Sequence, residues 1–248
     1  LIALIGPSTV LWLNAASFGV SALLVMMAVP AVKPVADDTQ QRAGRYLAEL
    51  LEGVRFVFSD GPIRSIFVSA AVLNLLISPL LVVILPVYMN TVVGSAASLG
   101  LVIAAFGGGS VTGAAFYGVA GHRLPRRRTF VTGVFALGLG FSTLAFLPPV
   151  WVMALAMFLG GLIAGPNGPL ISTVLQERTP AAMRGRVFGA TTAVGFAGAP
   201  LGVLLAGALL PVIGIQLTMI GIAVVFLSVA LALALDHGLH EMDVDQAT

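Results

Sequence analysis

Cysteine is absent from this chain of 248 residues, which excludes disulfides, thiol catalysis and cysteine-based metal sites. Charge is scarce as well: Asp, Glu, Lys and Arg make up 9% of the sequence, where a soluble domain carries about a quarter. No ionisable side chain lies at the centre of a long apolar run, so this segment holds no intramembrane proton relay, no ion pair within the bilayer and no Schiff-base lysine. Walker-type phosphate loops are missing, and with them ATP hydrolysis. The three histidines, His122, His237 and His240, fall outside the apolar runs and assemble no catalytic triad. His237 and His240 share metal-ligand spacing at i, i+3 but have no cysteine or second pair beside them, and the expectation is no metal and no cofactor. Enzyme readings fall away, and transport, receptor or scaffold functions remain.

What is present is hydrocarbon. Hydrophobic residues are 58% of the chain and the mean hydropathy is +1.06, more apolar surface than a soluble fold of this length could cover. The expected class is an all-α polytopic membrane bundle. Its direction is set by the basic stretch Gly118-Val-Ala-Gly-His-Arg-Leu-Pro-Arg-Arg-Arg128 between two uncharged runs. Arginine at a bilayer centre costs roughly 2.5 to 3.5 kcal/mol, so Arg123, Arg126, Arg127 and Arg128 belong at a membrane surface, the cytoplasmic one by the positive-inside tendency. The basic residues read as topology signals and not as a nucleic-acid footprint, since no aromatic stacking residues are interleaved with them. The start at Leu1, inside an apolar run without an initiator Met, suggests a piece of something longer.

In chain order, residues 1–29 read as a first span, with Asn14 and Ser17 as polar interruptions suited to helix packing. Residues 30–62 are polar. Lys33, Pro34, Asp37, Asp38, Gln40, Gln41 and Arg42 have linker composition; then Tyr46, Leu47, Leu50, Leu51, Val54 and Phe58 recur at helical spacing opposite Arg45, Glu49, Glu52 and Arg55. This predicts an amphipathic helix lying on the cytoplasmic face. Residues 63–235 hold six further spans, 63–89, 99–120, 130–147, 151–176, 187–210 and 216–235, and an acidic tail, expected to be disordered, occupies 236–248.

Polar positions inside the spans are few. Asn74 and Ser78, four residues apart, share a helix face beside Pro79, which removes a backbone hydrogen bond there. The fifth span is interrupted by Gly165, Pro166, Asn167, Gly168 and Pro169, a pattern expected to bend or unwind the helix, and Ser172, Thr173 and Gln176 follow it. These two patches suit either a substrate-lined cavity or interhelical hydrogen bonding, and the sequence leaves both readings open. Gly109 and Gly113 lie in the small-xxx-small register that lets another helix approach. Gly195 and Pro200 interrupt the sixth span.

Seven spans place all twelve basic and all ten acidic residues on one side and leave the three opposite connections uncharged. Misplacing one span would scatter the charges, so the pattern implies an outside start and a cytoplasmic end.

The segment Gly118–Arg128 resembles the loop signature of the major facilitator superfamily, Gly-x-Leu-Ala-Asp-Arg-x-Gly-Arg-Arg, between the second and third helices of each half. Gly118, Arg123, Arg126 and Arg127 match; His122 stands where Asp is usual and Pro125 where the second Gly is. Glu177-Arg-x-Pro-x-x-x-Arg184-Gly185-Arg186-Val187-x-Gly189 is similar to the loop between the tenth and eleventh helices in the macrolide and siderophore exporter branch. Leu85-Pro86-x-Tyr88, followed by Gly100 and Ala104-Ala105-Phe106-Gly107, resembles the same branch, and Gly195-x-x-x-Ala199-Pro200 is a fainter echo of the antiporter motif.

The resemblance implies the sixth helix, the central loop and helices seven to twelve of a transporter. It carries a gating role in the cytoplasmic loops to Gly118, Arg123, Arg126, Arg127, Arg184 and Arg186. Its implied partners are the lipid bilayer, an N-terminal six-helix half and a small amphiphilic substrate. The proton gradient is the implied energy source, and the coupling acids are expected in the other half. The remaining alternative is a non-transporting scaffold, or a half-size protein acting as a dimer.

Overall fold

The computed structural model describes residues 5–28 and 42–244. The linker residues 31–41, the ends of the first span at 4 and 29, and Asp245 lie outside them. The chain divides into two units, Leu1–Arg45 and Tyr46–Thr248. In the first, α1 (Pro7–Ala28) is one uncharged helix whose Leu11, Trp12, Phe18, Met26 and Met27 are exposed along its length. Ser17 Oγ donates to the Asn14 carbonyl at 2.7 Å, so its hydroxyl is satisfied within its own helix.

The second unit is a helical bundle. Helix α2 (Arg42–Ser59) ends at Asp60, which caps α3 (Gly61–Pro79) by accepting from the Ile63 N–H at 3.0 Å. Beyond Pro79 the helix continues through a wide-turn segment, Leu80–Ile84, a short α segment, Leu85–Tyr88, and a second wide segment, Met89–Val93. Then come α4 (Ala96–Ala120), α5 (Arg126–Ala145), α6 (Val150–Ala164), α7 (Asn167–Arg178) and α8 (Arg184–Leu235). Gly214, with φ +77°, divides α8 into two limbs, because that backbone is left-handed and only glycine takes it readily. Among the described residues six continuous apolar stretches are long enough to cross a membrane, and the last, Ala181–Leu235, contains these two limbs, so the bundle and α1 supply seven spans.

Three expectations change. Of the bend or unwinding expected at 165–169, the unwinding is absent: α6 stops at Ala164 and α7 restarts at Asn167, but Gly165 and Pro166 keep right-handed helical dihedrals and the two form one 29-residue span. Proline at the start of a new helical segment lacks only a donor that position would leave free in any case. The connections on the uncharged side are shorter than the composition suggested: helix persists to Val93 and only Gly94 and Ser95 intervene before α4, and the turn expected at 211–215 contracts to Gly214. The tail is ordered as far as Val244. Gly238–His240 makes a turn, α9 (Glu241–Val244) follows, and Leu239 and Met242 are buried in the main core.

Two parallel helix pairs organise the bundle through the same device. In α4 and α6 a Cβ on Gly109 would lie 2.1 Å from the Phe158 carbonyl oxygen, and one on Gly113 2.0 Å from that of Leu162. Reciprocally, Gly161 and Gly165 receive the Phe106 and Ser110 carbonyls at 2.4 and 2.3 Å. In α3 and the first limb of α8, Gly198 faces the Ala71 carbonyl at 3.1 Å and Gly202 that of Leu75 at 2.0 Å. Leu75 and Leu162 each precede a proline by four residues, Pro79 and Pro166, and therefore lack the usual helical N–H donor. The facing glycine leaves room for its own Cα–H to meet that carbonyl. Ala71, Leu75 and Pro79 against Gly198 and Gly202 thus repeat as Phe158, Leu162 and Pro166 against Gly109 and Gly113.

Helix α5 and the second limb of α8 run antiparallel across the middle, with Gly138 against Phe226 and Leu227, and the Phe141 and Phe226 rings edge to face at 5.1 Å. The main core of Leu80, Ile84, Met153, Met157, Phe141 and Phe226 lies where these elements meet.

Gly113→Val in the full-length protein should cost about 1–3 kcal/mol by overpacking the seam. Thermal unfolding in detergent would show it as a lowered Tm. Gly107→Ala, whose Cβ enters open space, should change stability by less than about 1 kcal/mol.

Candidate functional site

The ion pairs of the bundle gather at one end, where α2, α3, α5, α7, α8 and α9 meet. Arg178, at the last turn of α7, is the hub. Its Nε donates to Asp60 Oδ2 at 2.9 Å and Oδ1 at 3.2 Å, and its Nη2 to Glu241 Oε2 at 3.1 Å. Asp60 therefore caps α3 and holds α7 together, with its side chain and that of Arg178 less than a fifth exposed. Arg126 makes a two-point pair with Glu177, at 2.5 and 3.1 Å. Arg127 Nη2 donates to the Ala234 carbonyl at 2.5 Å, tying α5 to the end of α8. Arg186 reaches Glu52 at 2.6 Å and Glu49 at 3.3 Å, and its backbone carbonyl sits over Gly53, docking α2 on the bundle.

Gly53 and Val57 are the docked positions of α2, while Leu51 and Phe58 remain exposed. The apolar face expected from spacing is therefore split, because the glycine at 53, not the largest side chains, permits the closest approach. Ser65 Oγ donates to Asp236, and the Gly238 N–H donates to the same carboxylate at 2.8 Å. Burial alone would raise the Asp236 carboxyl. The hydrogen bonds from Ser65 and Gly238, with Arg64 and His237 nearby, outweigh it and hold the group below its ordinary value.

Of the residues proposed for gating, Arg126, Arg127 and Arg186 lie in these contacts. Arg184 is exposed, with Nε donating to the Thr179 carbonyl at 3.3 Å, and Gly118 and Arg123 are exposed. The His237 and His240 rings stand 5.9 Å apart.

The polar span residues do not converge on one cleft. Asn74 is half-buried, donates Nδ2 to the Ala70 carbonyl at 3.1 Å, and lies 3.9 Å from where a Cβ on Gly195 would stand. Ser78 is half-buried beside the buried Pro79. Asn167 bridges α7 to α5: its amide fills the space over Gly133, Nδ2 approaches the Phe130 carbonyl at 3.4 Å, and Oδ1 is buried without a hydrogen-bond donor. Ser172, Thr173 and Gln176 are exposed on α7, Thr173 donating to the Pro169 carbonyl at 3.0 Å; Pro169 and Pro200 are exposed too.

Sequence reasoning missed Gly198 with Gly202, whose small-xxx-small spacing was legible, and Asp60, readable as a cap from Asp60-Gly-Pro62. It could not have found Gly133 or the pairing of Asp60 with Arg178, 118 residues apart.

A profile of the Major Facilitator Superfamily matches residues 67–241. The chain belongs to that superfamily. It is 33% identical over 246 residues to the multidrug efflux pump Tap of Mycobacterium tuberculosis, an alignment covering 98% of this chain and 58% of that protein. It is 30% identical over 244 residues to the Tap pump of Mycolicibacterium fortuitum, covering 98% and 59%. To the enterobactin exporter EntS of Escherichia coli it is 27% identical over 190 residues, covering 75% and 44%. The chain thus spans about half the length of the curated relatives it matches. It is a multi-pass membrane protein of a transporter family.

Arg178→Gln should cost roughly 1–3 kcal/mol by leaving Asp60 without its charged donor. Arg186→Gln, at a more exposed pair, should cost less than about 1 kcal/mol, and chemical denaturation would rank the two. Because the folded Asp236 binds its proton more weakly than the unfolded chain does, its stabilising contribution is complete above about pH 4 and is lost as pH falls through the lower folded value. Asp236→Asn should flatten the pH dependence of Tm in that acid range.

Proposed function

We propose that this chain is the C-terminal half of a proton-driven exporter of small amphiphilic molecules, of the drug or siderophore kind that its relatives' names describe, working by alternating access. The observation that carries the reading is the distribution of bonds. One end of the bundle is cross-tied by charge, while its interior and its other end are held by apolar packing and glycine seams without a charged group. A unit built in that way moves as a body and can rock against a second half.

The charged end is the cytoplasmic one on this reading, with the chain beginning outside and ending inside, since arginine-rich connections favour that face. Ser172, Thr173 and Gln176 extend from α7 without burial in this half and are offered to the central cavity, and the half-buried Asn74, Ser78 and Asn167 are the further candidates for its wall. Hydroxyl and amide groups on an otherwise apolar wall suit amphiphiles, which need few fixed polar contacts. The energy source is the proton gradient, with the titrating carboxylates in the N-terminal half.

The full-length protein in inverted membrane vesicles should accumulate a fluorescent amphiphilic dye when a proton gradient is applied and release it when an uncoupler collapses the gradient. Absence of gradient-dependent movement in a correctly inserted protein would remove the exporter reading. Gln176→Ala and Thr173→Ala should shift the relative rates for different dyes by several-fold while leaving Tm unchanged. Unchanged dye preferences would remove these residues from the cavity.

A further inference from the structure

We propose that the cleft between α4, α5 and the α6–α7 span binds an anionic phospholipid, with an acyl chain in the cleft and the phosphate on Arg128. The cleft has a volume of about 640 Å³, within the range of about 300–1,000 Å³ typical of small-molecule sites. Its walls are Phe116 on α4, Leu124 near the end of the loop leading into α5, and Leu162, Ile163 and Pro166 on the α6–α7 span. The three threonines that line it donate their hydroxyl protons to their own helices: Thr112 to Gly108 at 2.8 Å, Thr129 to Pro125 at 3.0 Å and Thr132 to Arg128 at 2.7 Å. They offer a ligand no donor, and the trough behaves as an apolar surface.

Arg128 is the exception. It stands in the first turn of α5 at the charged end, is exposed, and its guanidinium makes no hydrogen bond or ion pair with the described residues. Its neighbours Arg126 and Arg127 are engaged with Glu177 and the Ala234 carbonyl. No acidic side chain lines the cleft. The N-terminus of α5 carries no side-chain cap, because Pro125 occupies the capping position, so the positive end of the helix dipole adds to the guanidinium. A cation at the membrane surface above an apolar trough descending along the bundle is the shape of an anionic phospholipid in its leaflet. Inorganic phosphate would leave the trough empty, and an apolar helix packed there would bury Arg128 without compensation. A chain in the trough would lie against Gly113 and Pro166 and brace the α4–α6 seam from outside.

The test is native mass spectrometry of the full-length protein in mild detergent, supplied with phosphatidylglycerol or phosphatidylcholine of identical acyl chains. Phosphatidylglycerol should be retained in preference. Arg128→Gln should lower that retention roughly fivefold, the worth of one basic group at a lipid surface, while Arg184→Gln leaves it unchanged. Thr132→Phe, which fills the cleft but keeps Arg128, should also lower retention. A photoactivatable phosphatidylglycerol should cross-link to cleft residues such as Phe116 and Thr132, located by peptide mapping, and Thr132→Phe should reduce that labelling. Equal retention of the two lipids, full retention by Arg128→Gln, displacement by excess inorganic phosphate, or photolabelling confined to residues outside the cleft would each overturn the proposal.

Discussion

Everything in this bundle depends on how closely two backbones approach when no hydrophobic force drives helices together. In hydrocarbon, leucine gains little by leaving lipid for protein, so association falls to short-range contact. Here that contact is carbonyl against glycine. The Leu162 oxygen meets Gly113 and the Leu75 oxygen meets Gly202, and each of these carbonyls lacks its helical donor because a proline follows four residues later. Proline creates an unsatisfied acceptor at depth, and a glycine on the neighbouring helix provides weak hydrogen bonding from Cα–H while excluding lipid. A backbone group that would be costly alone in the membrane becomes the attachment point of a helix pair.

The repetition of this device in two parallel helix pairs, with α5 and the second limb of α8 crossing between them, gives the half its internal symmetry. Inverted repeats nested within each six-helix half are a property of this superfamily, and the matched Pro79 and Pro166 seams are where that repeat is visible in chemical detail. At the charged end a different logic holds. Water is available there, so Arg178, Asp60, Glu241, Arg126 and Glu177 can be charged, and each pair joins elements distant in sequence. Charge pairs therefore tie that end together, while apolar contact and glycine seams hold the rest.

Much of this was legible before any coordinates. Near-absence of charge inside the apolar runs and its confinement to alternate connections give the span count and relative direction, because moving ionised groups into hydrocarbon is prohibitive. Gly109 and Gly113 were readable as a contact face from spacing alone. Other features were not. The glycine and proline run at 165–169 suggests a broken helix, yet α7 resumes directly, since Pro166 tolerates helical dihedrals and Asn167 reaches across to Gly133. The acidic tail looks disordered, yet Asp236, Leu239 and Glu241 each find a partner on another helix.

The sequence by itself determined the solvent of each segment: which residues lie in lipid and which at the surface follow from transfer free energies, and these depend on composition within a single span. Only the tertiary structure decided which carbonyl meets which glycine, which arginine closes on which carboxylate, and that the polar residues Asn74 and Asn167 sit on separate helix pairs. Those outcomes depend on contacts of a few ångströms between residues tens or hundreds of positions apart. No periodicity within one helix records the identity of its neighbour.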